Sequence, residues 1–233
     1  MAVYGADSCN PVTYVVGTED LLWHAQHLFG NYPAFWGRYF DGTSSSGCSY
    51  SSSENQSLSN AGVKVALLAR QTGNVNGNQA DGVADAEANY AALTAIFSSS
   101  QLSNASVFLD VEGSPSLSAD YWFGWATTMY GKYGILPSLY ATQDDTATWN
   151  AINESSKNYG FGLDYIWIAS WIDSGCVVQS TWETAYTTPS VATGAEVLIW
   201  QYSTGCEGST TGFDCNLLNP SYESTALSLF VTP

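Results

Sequence analysis

The stretch "SVFLDVEGSP", Ser106–Pro115, carries the strongest signal in the chain. A continuous apolar run stops at Asp110. Val111 separates it from Glu112, and Gly113 and Pro115 then break the chain. A short apolar run closed by turn residues reads as a strand buried on both faces. Alternate residues of a strand share one side, so Asp110 and Glu112 face the same way, with Cα atoms about 6.5–7 Å apart. Two carboxyls on one face repel, and burial raises their proton affinity further. One can hold a proton near neutrality and act as a general acid while the other stays ionised and stabilises positive charge. The separation suits either stereochemical class of glycosidase. The competing reading makes one acid a helix cap for "SPSLSADYW" and the other half of a structural ion pair. Ion pairs need cations, and the chain has only five Lys and Arg.

Working outward, β-rich apolar runs recur at 3–7, 34–40, 63–69, 136–142, 165–171 and 196–203. Helical patterns lie between them. "EDLLWHAQHLF" begins with acids, which suit a helix N-terminus. "DGVADAEANYAALTAIF" places Val83, Ala84, Ala88, Ala91, Ala92 and Ile96 near helical spacing. "SADYWFGWATTMYGKYG" starts on a Ser cap and ends in Gly, and "TATWNAINESSKNYG" follows the same logic. Alternating strand and helix argues for a parallel sheet. Seven strands, with an eighth expected near 185–192, predict a TIM-like (β/α) barrel, incomplete or flattened, forming one domain over residues 1–233. The Ser-rich segment 41–57 is expected as the long loop after the second strand.

The chain has 233 residues, of which 45% are hydrophobic and 11% charged, and 21 acids against five bases give a net charge of −16. Nucleic-acid binding is excluded as an expectation, because phosphate neutralisation needs clustered Lys and Arg. An anionic membrane surface is disfavoured for the same reason, and no apolar run is long enough to span a bilayer. The opening "MAVYGAD" reads as a strand after an initiator Met and shows no export leader. Cys9, Cys48, Cys176, Cys206 and Cys215 lack CxxC spacing, and His24 and His27 are the only histidines. No metal site or other cofactor is expected. The cysteines read as disulfides of a secreted, extracellular protein, with at least one thiol left over. Cys9 and Cys48 follow neighbouring strands and Cys206 and Cys215 bracket one loop, so at least one of these pairs is expected to be bridged.

Barrel enzymes build their sites at the C-terminal ends of strands. Asp7 closes the first strand, and Asp110 and Glu112 close the fourth. Asp214 follows the last strand expected. Tyr39, Tyr140, Trp171 and Tyr202 sit at strand ends, where aromatic faces can stack on a sugar; core packing is the competing role of each. Arg38, one of two arginines, is expected near the end of strand two, holding a cleft carboxylate such as Asp7 or else a surface partner.

"GADS" on a first strand, "FLDVEG" on a fourth, "IWIASW", and the closing "IWQYSTGCEGSTTGFDCN" resemble glycoside hydrolase family 25, the Chalaropsis-type lysozymes. "FWGRYF" and "QADGVADAEANYAAL" also resemble a related group of glycoside-hydrolase-like barrels of unknown function. The first resemblance implies a muramidase acting on bacterial cell-wall peptidoglycan, with Glu112 as general acid. It implies that Asp110 stabilises the oxocarbenium-like centre or orients a substrate N-acetyl group. Asp7 and Asp214 would line the same cleft and tune both. The expected partner is thus a polysaccharide substrate, met by a monomer. Two alternatives stay open: a glycan-binding barrel without activity, and a glycosidase for a different, non-peptidoglycan polymer.

Overall fold

The computed structural model describes residues 2–40, 48–70, 72–182 and 194–233. Eight strands form a closed barrel: β1 (Tyr4–Ser8), β2 (Phe35–Phe40), β3 (Lys64–Ala69), β4 (Ser106–Val111), β5 (Leu136–Thr142), β6 (Tyr165–Ser174), β7 (Glu196–Cys206) and β8 (Phe213–Leu218). Neighbours from β1 through β7 pair in parallel. β8 runs antiparallel to both β7 and β1 and so closes the ring. The helices are α1 (Leu21–Phe29), α2 (Asn55–Ala61), α3 (Gln79–Thr94), α4 (Ser99–Leu102), α5 (Ala119–Tyr133), α6 (Thr146–Tyr159) and α7 (Glu223–Leu229).

The expectation of an all-parallel sheet is corrected at one strand. The eighth strand expected near 185–192 lies outside the described residues. The strand that completes the ring is instead "FDCNLL", inside the segment read as a loop. It turns Asp214 and Asn216 inward, so polar residues occupy the positions where a buried strand normally shows apolar ones. Of the long loop expected at 41–57, residues 48–57 are described, and they contain a 3₁₀ turn (Ser52–Glu54) and the start of α2.

The four expected helices form for the reasons their ends suggest. The Asp20 carboxylate accepts the Trp23 N–H at 2.8 Å and the Ser118 hydroxyl accepts the Tyr121 N–H at 3.1 Å. Gly134 and Gly160 end α5 and α6 in the left-handed conformation. No described helix is long and apolar enough to cross a membrane.

Strand alternation sorts the core into two layers. Ala6, Trp36, Val65, Leu67, Val107, Leu109, Leu139, Ile166, Ile168, Trp200 and Leu217 face the helices. Phe35, Ala66, Leu68, Phe108, Tyr140, Trp167 and Ala169 fill the barrel. The Trp167 ring meets Phe35, Phe108 and Tyr140 edge-on, at centroid distances of 6.0, 5.6 and 5.4 Å. At the N-terminal end Phe230, just past α7, packs on Phe35 at 5.0 Å. Phe230 thus covers that end, and the acids of β1 and β4 lie at the opposite one.

Cys9 pairs with Cys48, as expected, and Cys176 pairs with Cys206. The alternative Cys206–Cys215 bridge is not formed. Cys206 lies opposite Phe213 in the β7–β8 ladder, and Cys215 lies opposite Ser203, several positions away. Cys215 is a buried thiol that burial pushes up to about 12. Thiol titration should therefore find no fast-reacting group in the native protein and one thiol per chain after unreduced denaturation. Three or more thiols would contradict the pairing.

Candidate functional site

The mouth of the barrel is a cleft of about 210 Å³ lined by Asp7, Tyr39, Arg70, Asp110, Glu112 and Asp214, with Gly208, Ser209, Thr210 and Gly212 forming one wall. The carboxyls arrive by strand alternation. Asp7 shares the inward side of β1 with Gly5; Asp110 shares that of β4 with Phe108. Glu112 follows β4 with the same parity. Asp214 lies directly opposite Asp7 in the antiparallel β1–β8 ladder. Gly37 makes room for this. A Cβ there would lie 2.7 Å from the Asp7 Cβ and 2.4 Å from the Trp167 ring.

Asp7 is 2% exposed. Its Oδ1 accepts Asn216 Nδ2 at 2.6 Å and Gln201 Nε2 at 3.0 Å. Burial pushes its carboxyl well above the ordinary range, and the facing Asp214 adds to the rise. Asp214 accepts the Gly205 N–H at 2.8 Å and Gln201 Nε2 at 3.3 Å; burial raises it to about 6. Burial likewise raises Glu112, against the opposing effect of a 2.8 Å hydrogen bond from the Tyr140 hydroxyl. Burial first, and the acids around them second, keep the Tyr39 and Tyr140 phenols protonated.

These shifts fix the sign of the pH dependence of stability. Each carboxyl is raised in the folded state, so that state binds more protons than the unfolded chain. The stabilisation is full below the unfolded value of about 4 and is lost as pH rises through about 6. For Asp214 the loss amounts to at most about 3 kcal/mol. Urea midpoints should fall between pH 4 and 7. Asp7→Asn, whose Oδ1 still accepts both amides, should flatten that slope; a midpoint that climbs with pH in the wild-type chain would contradict the assignment.

No protein-family model and no curated protein sequence matches the chain. Solved structures do. An uncharacterized B. stearothermophilus protein is 22% identical over 98% of this chain and 99% of its own, with a TM-score of 0.74. The bacterial lysozyme from Streptomyces coelicolor is 20% identical over 98% and 97%, with a TM-score of 0.60. A family GH25 lysozyme from Aspergillus fumigatus is 16% identical over 97% and 99%, with a TM-score of 0.59. The fold is that of the family 25 lysozymes.

On this family 25 fold, Asp7, Asp110, Glu112 and Asp214 line one cleft, as their strand positions predicted. Tyr39 lines it too. Tyr140 is 2% exposed and lies at its floor, where it bonds Glu112 instead of offering a stacking face. Trp171 stands half-exposed at the end of the inward Trp167–Ala169 series, its indole held by Gln201.

Two expectations are corrected. Arg38 is fully buried on the outer side of β2, with the opposite parity to Gly37 and Tyr39. Its guanidinium grips Glu54 in a fork of two 2.9 Å bonds and donates to the Ser8 and Cys9 carbonyls. The arginine of the cleft is Arg70, which follows β3 in the inward series of Ala66 and Leu68. Tyr202 also faces outward, beside Trp200, and donates to the Val177 carbonyl at 3.3 Å. Gln201 and Asn216 were the residues missed. Both stand within the quoted closing motif, among acids and aromatics whose chemistry is easier to read.

Among the described residues the group of His, Cys, Asp or Glu side chains close enough to share an ion is Cys176, Cys206 and Glu207, without either histidine. His24 Nδ1 lies 3.3 Å from Glu207, and the Cys176–Cys206–Glu207 cluster beside it has both sulfurs in a disulfide.

Proposed function

We propose that the protein is an extracellular glycosidase that cleaves the glycan of bacterial cell-wall peptidoglycan, a muramidase with Glu112 as general acid. The observation that carries this reading is the placement of Glu112. It stands at the cleft with its proton affinity raised by burial, and Tyr140 fixes one of its oxygens at 2.8 Å. From the cleft, its carboxyl would serve a leaving-group oxygen. Asp110, two residues earlier on the same side, faces the positive charge that develops as the glycosidic bond breaks, or orients an N-acetyl group that attacks it. Asp7 and Asp214 lie behind the pair, and the charge of Glu112 adds to the burial that raises their own proton affinity. Several neighbours in fold are described as lysozymes, a muramidase or the catalytic domain of an endolysin, which supports a cell-wall polymer as substrate. Two disulfides suit an oxidising compartment.

The test is release of reducing sugar from purified cell walls and from a panel of neutral glycans. Cleavage of the walls is expected, with an optimum on the acidic side of neutrality, because Glu112 must carry its proton. Activity that keeps rising above pH 8 would rule out a carboxylic acid as donor. Turnover of a neutral glycan only would move the substrate away from peptidoglycan, and binding without turnover on every polymer would leave a glycan-binding barrel.

A further inference from the structure

Gln201 projects from β7 into the barrel with no exposed surface. Its Oε1 faces two donors: the Trp171 indole N–H at 2.7 Å and the Tyr140 hydroxyl at 3.0 Å. Its Nε2 faces two acceptors: Asp7 Oδ1 at 3.0 Å and Asp214 Oδ2 at 3.3 Å. The amide cannot be turned over, because that would set its oxygen against two carboxyls and its NH₂ against an indole N–H. All four hydrogen-bonding positions of the amide are therefore engaged. Tyr140 has one proton to share between Gln201 Oε1 and Glu112 Oε1, so the amide reaches the proposed acid through one intermediary.

We propose that Gln201 is the positioning residue of the cleft, locking the exposed Trp171 ring and the Asp7–Asp214 pair into one rigid unit. Trp171 is half-exposed and presents an aromatic face at the rim, while Asp7 is buried at the base. One amide joins them, so a glycan that stacks on the ring is held in a fixed relation to the carboxyls. The same amide meets both members of the facing carboxyl pair with a hydrogen-bond donor each. The catalytic meaning of this arrangement rests on the glycosidase reading; the locking itself does not.

The test uses Gln201→Leu and the isosteric Gln201→Glu. The first removes the donors and the acceptor together. Three signals are followed: the Trp171 indole N–H resonance, the titration of Asp7 by carboxyl NMR, and turnover with separate kcat and KM. In Gln201→Leu the indole resonance should move and broaden, and Asp7 should titrate higher still, having lost a donor. Turnover should fall by about 10²-fold through kcat, the scale expected when reacting groups are misplaced by about 1 Å. Gln201→Glu should keep the indole signal at every pH, because either form of the new carboxyl accepts the N–H. As pH rises and that carboxyl ionises, it loses its donor to Asp7 and Asp214 and adds a like charge, so Asp7 should titrate higher than in the parent chain. That split between the two signals is something a side chain that merely fills space would not create. An unchanged indole resonance in Gln201→Leu and an unchanged Asp7 titration in both variants would overturn the proposal. If both signals move as expected but the parent chain cleaves no glycan, the locking role stands and the glycosidase reading falls.

Discussion

Glu112→Gln is expected to lower turnover of a glycan polymer by about 10²–10⁴-fold while binding survives. The amide keeps the shape of the side chain and can still accept the Tyr140 hydroxyl through its oxygen. It cannot give up a proton to a leaving group. A substrate with a very good leaving group needs no proton, so an aryl glycoside should restore much of the lost rate. On the proposed mechanism Asp110→Asn should also cost rate, because it would remove the charge assigned to the developing cation, and no leaving group should rescue it. The two losses should not add, since both act on one transition state. The measurement is kcat and KM of both variants on polymer and aryl glycoside. Near-normal polymer turnover by Glu112→Gln would take the proton-donor role away from β4.

The second large effect is on stability. Arg38→Met should destabilise the protein by about 3–5 kcal/mol, because it leaves Glu54 charged in a site with no exposure. At this chain length that corresponds to a fall in Tm of roughly 10 °C or more. Glu54 also accepts the Val12 N–H at 2.9 Å and the Ser51 N–H at 3.3 Å. The ion pair therefore ties together the loop after β1, the outer face of β2 and the 3₁₀ turn at Ser52–Glu54. Adding Glu54→Gln to Arg38→Met removes the stranded charge and keeps an acceptor for Val12, so the double variant should recover part of the loss. A double variant no more stable than Arg38→Met would show that the damage comes from lost packing or from the Ser8 and Cys9 carbonyls.

The two predictions concern strand-end residues with opposite fates, and strand parity explains both what the sequence revealed and what it hid. The apolar runs were legible because β1 to β7 are covered on both sides, by helices outside and by Trp167, Phe108 and Phe35 inside. The acid positions were legible because Asp7, Asp110 and Glu112 stand where those runs stop. Arg38 and Tyr202 also stand near strand ends, but nearness to an end does not choose a side. Counting in twos from Asp7's partner Gly37 excludes Arg38, and counting from Gln201 excludes Tyr202. β8 was illegible for the converse reason. Its inward side is spent on Asp214 and Asn216, so it shows only a short alternation, with Phe213, Cys215 and Leu217 as its apolar members, and not the continuous apolar run that marked the other strands. Gln201 was hidden by its own chemistry, since a neutral amide titrates nothing and its value comes from four partners that only the closed barrel brings together.

The ring is sealed between the first strand and the last, and this has a consequence for how the protein comes to life. Asp7 lies beside Asp214 and Asn216 across the β1–β8 ladder, although about 200 residues of chain separate them. On the ribosome, Asp110 and Glu112 emerge long before the residues that complete their surroundings. Until β8 docks, the Asp7 carboxyl has no Asn216 to bond and lies open to water with an ordinary proton affinity. A contact of such long range forms late, because the loop entropy must be overcome before any reward arrives. The acids therefore stand without their folded surroundings until β8 docks, and the event that closes the barrel is the one that raises their proton affinity.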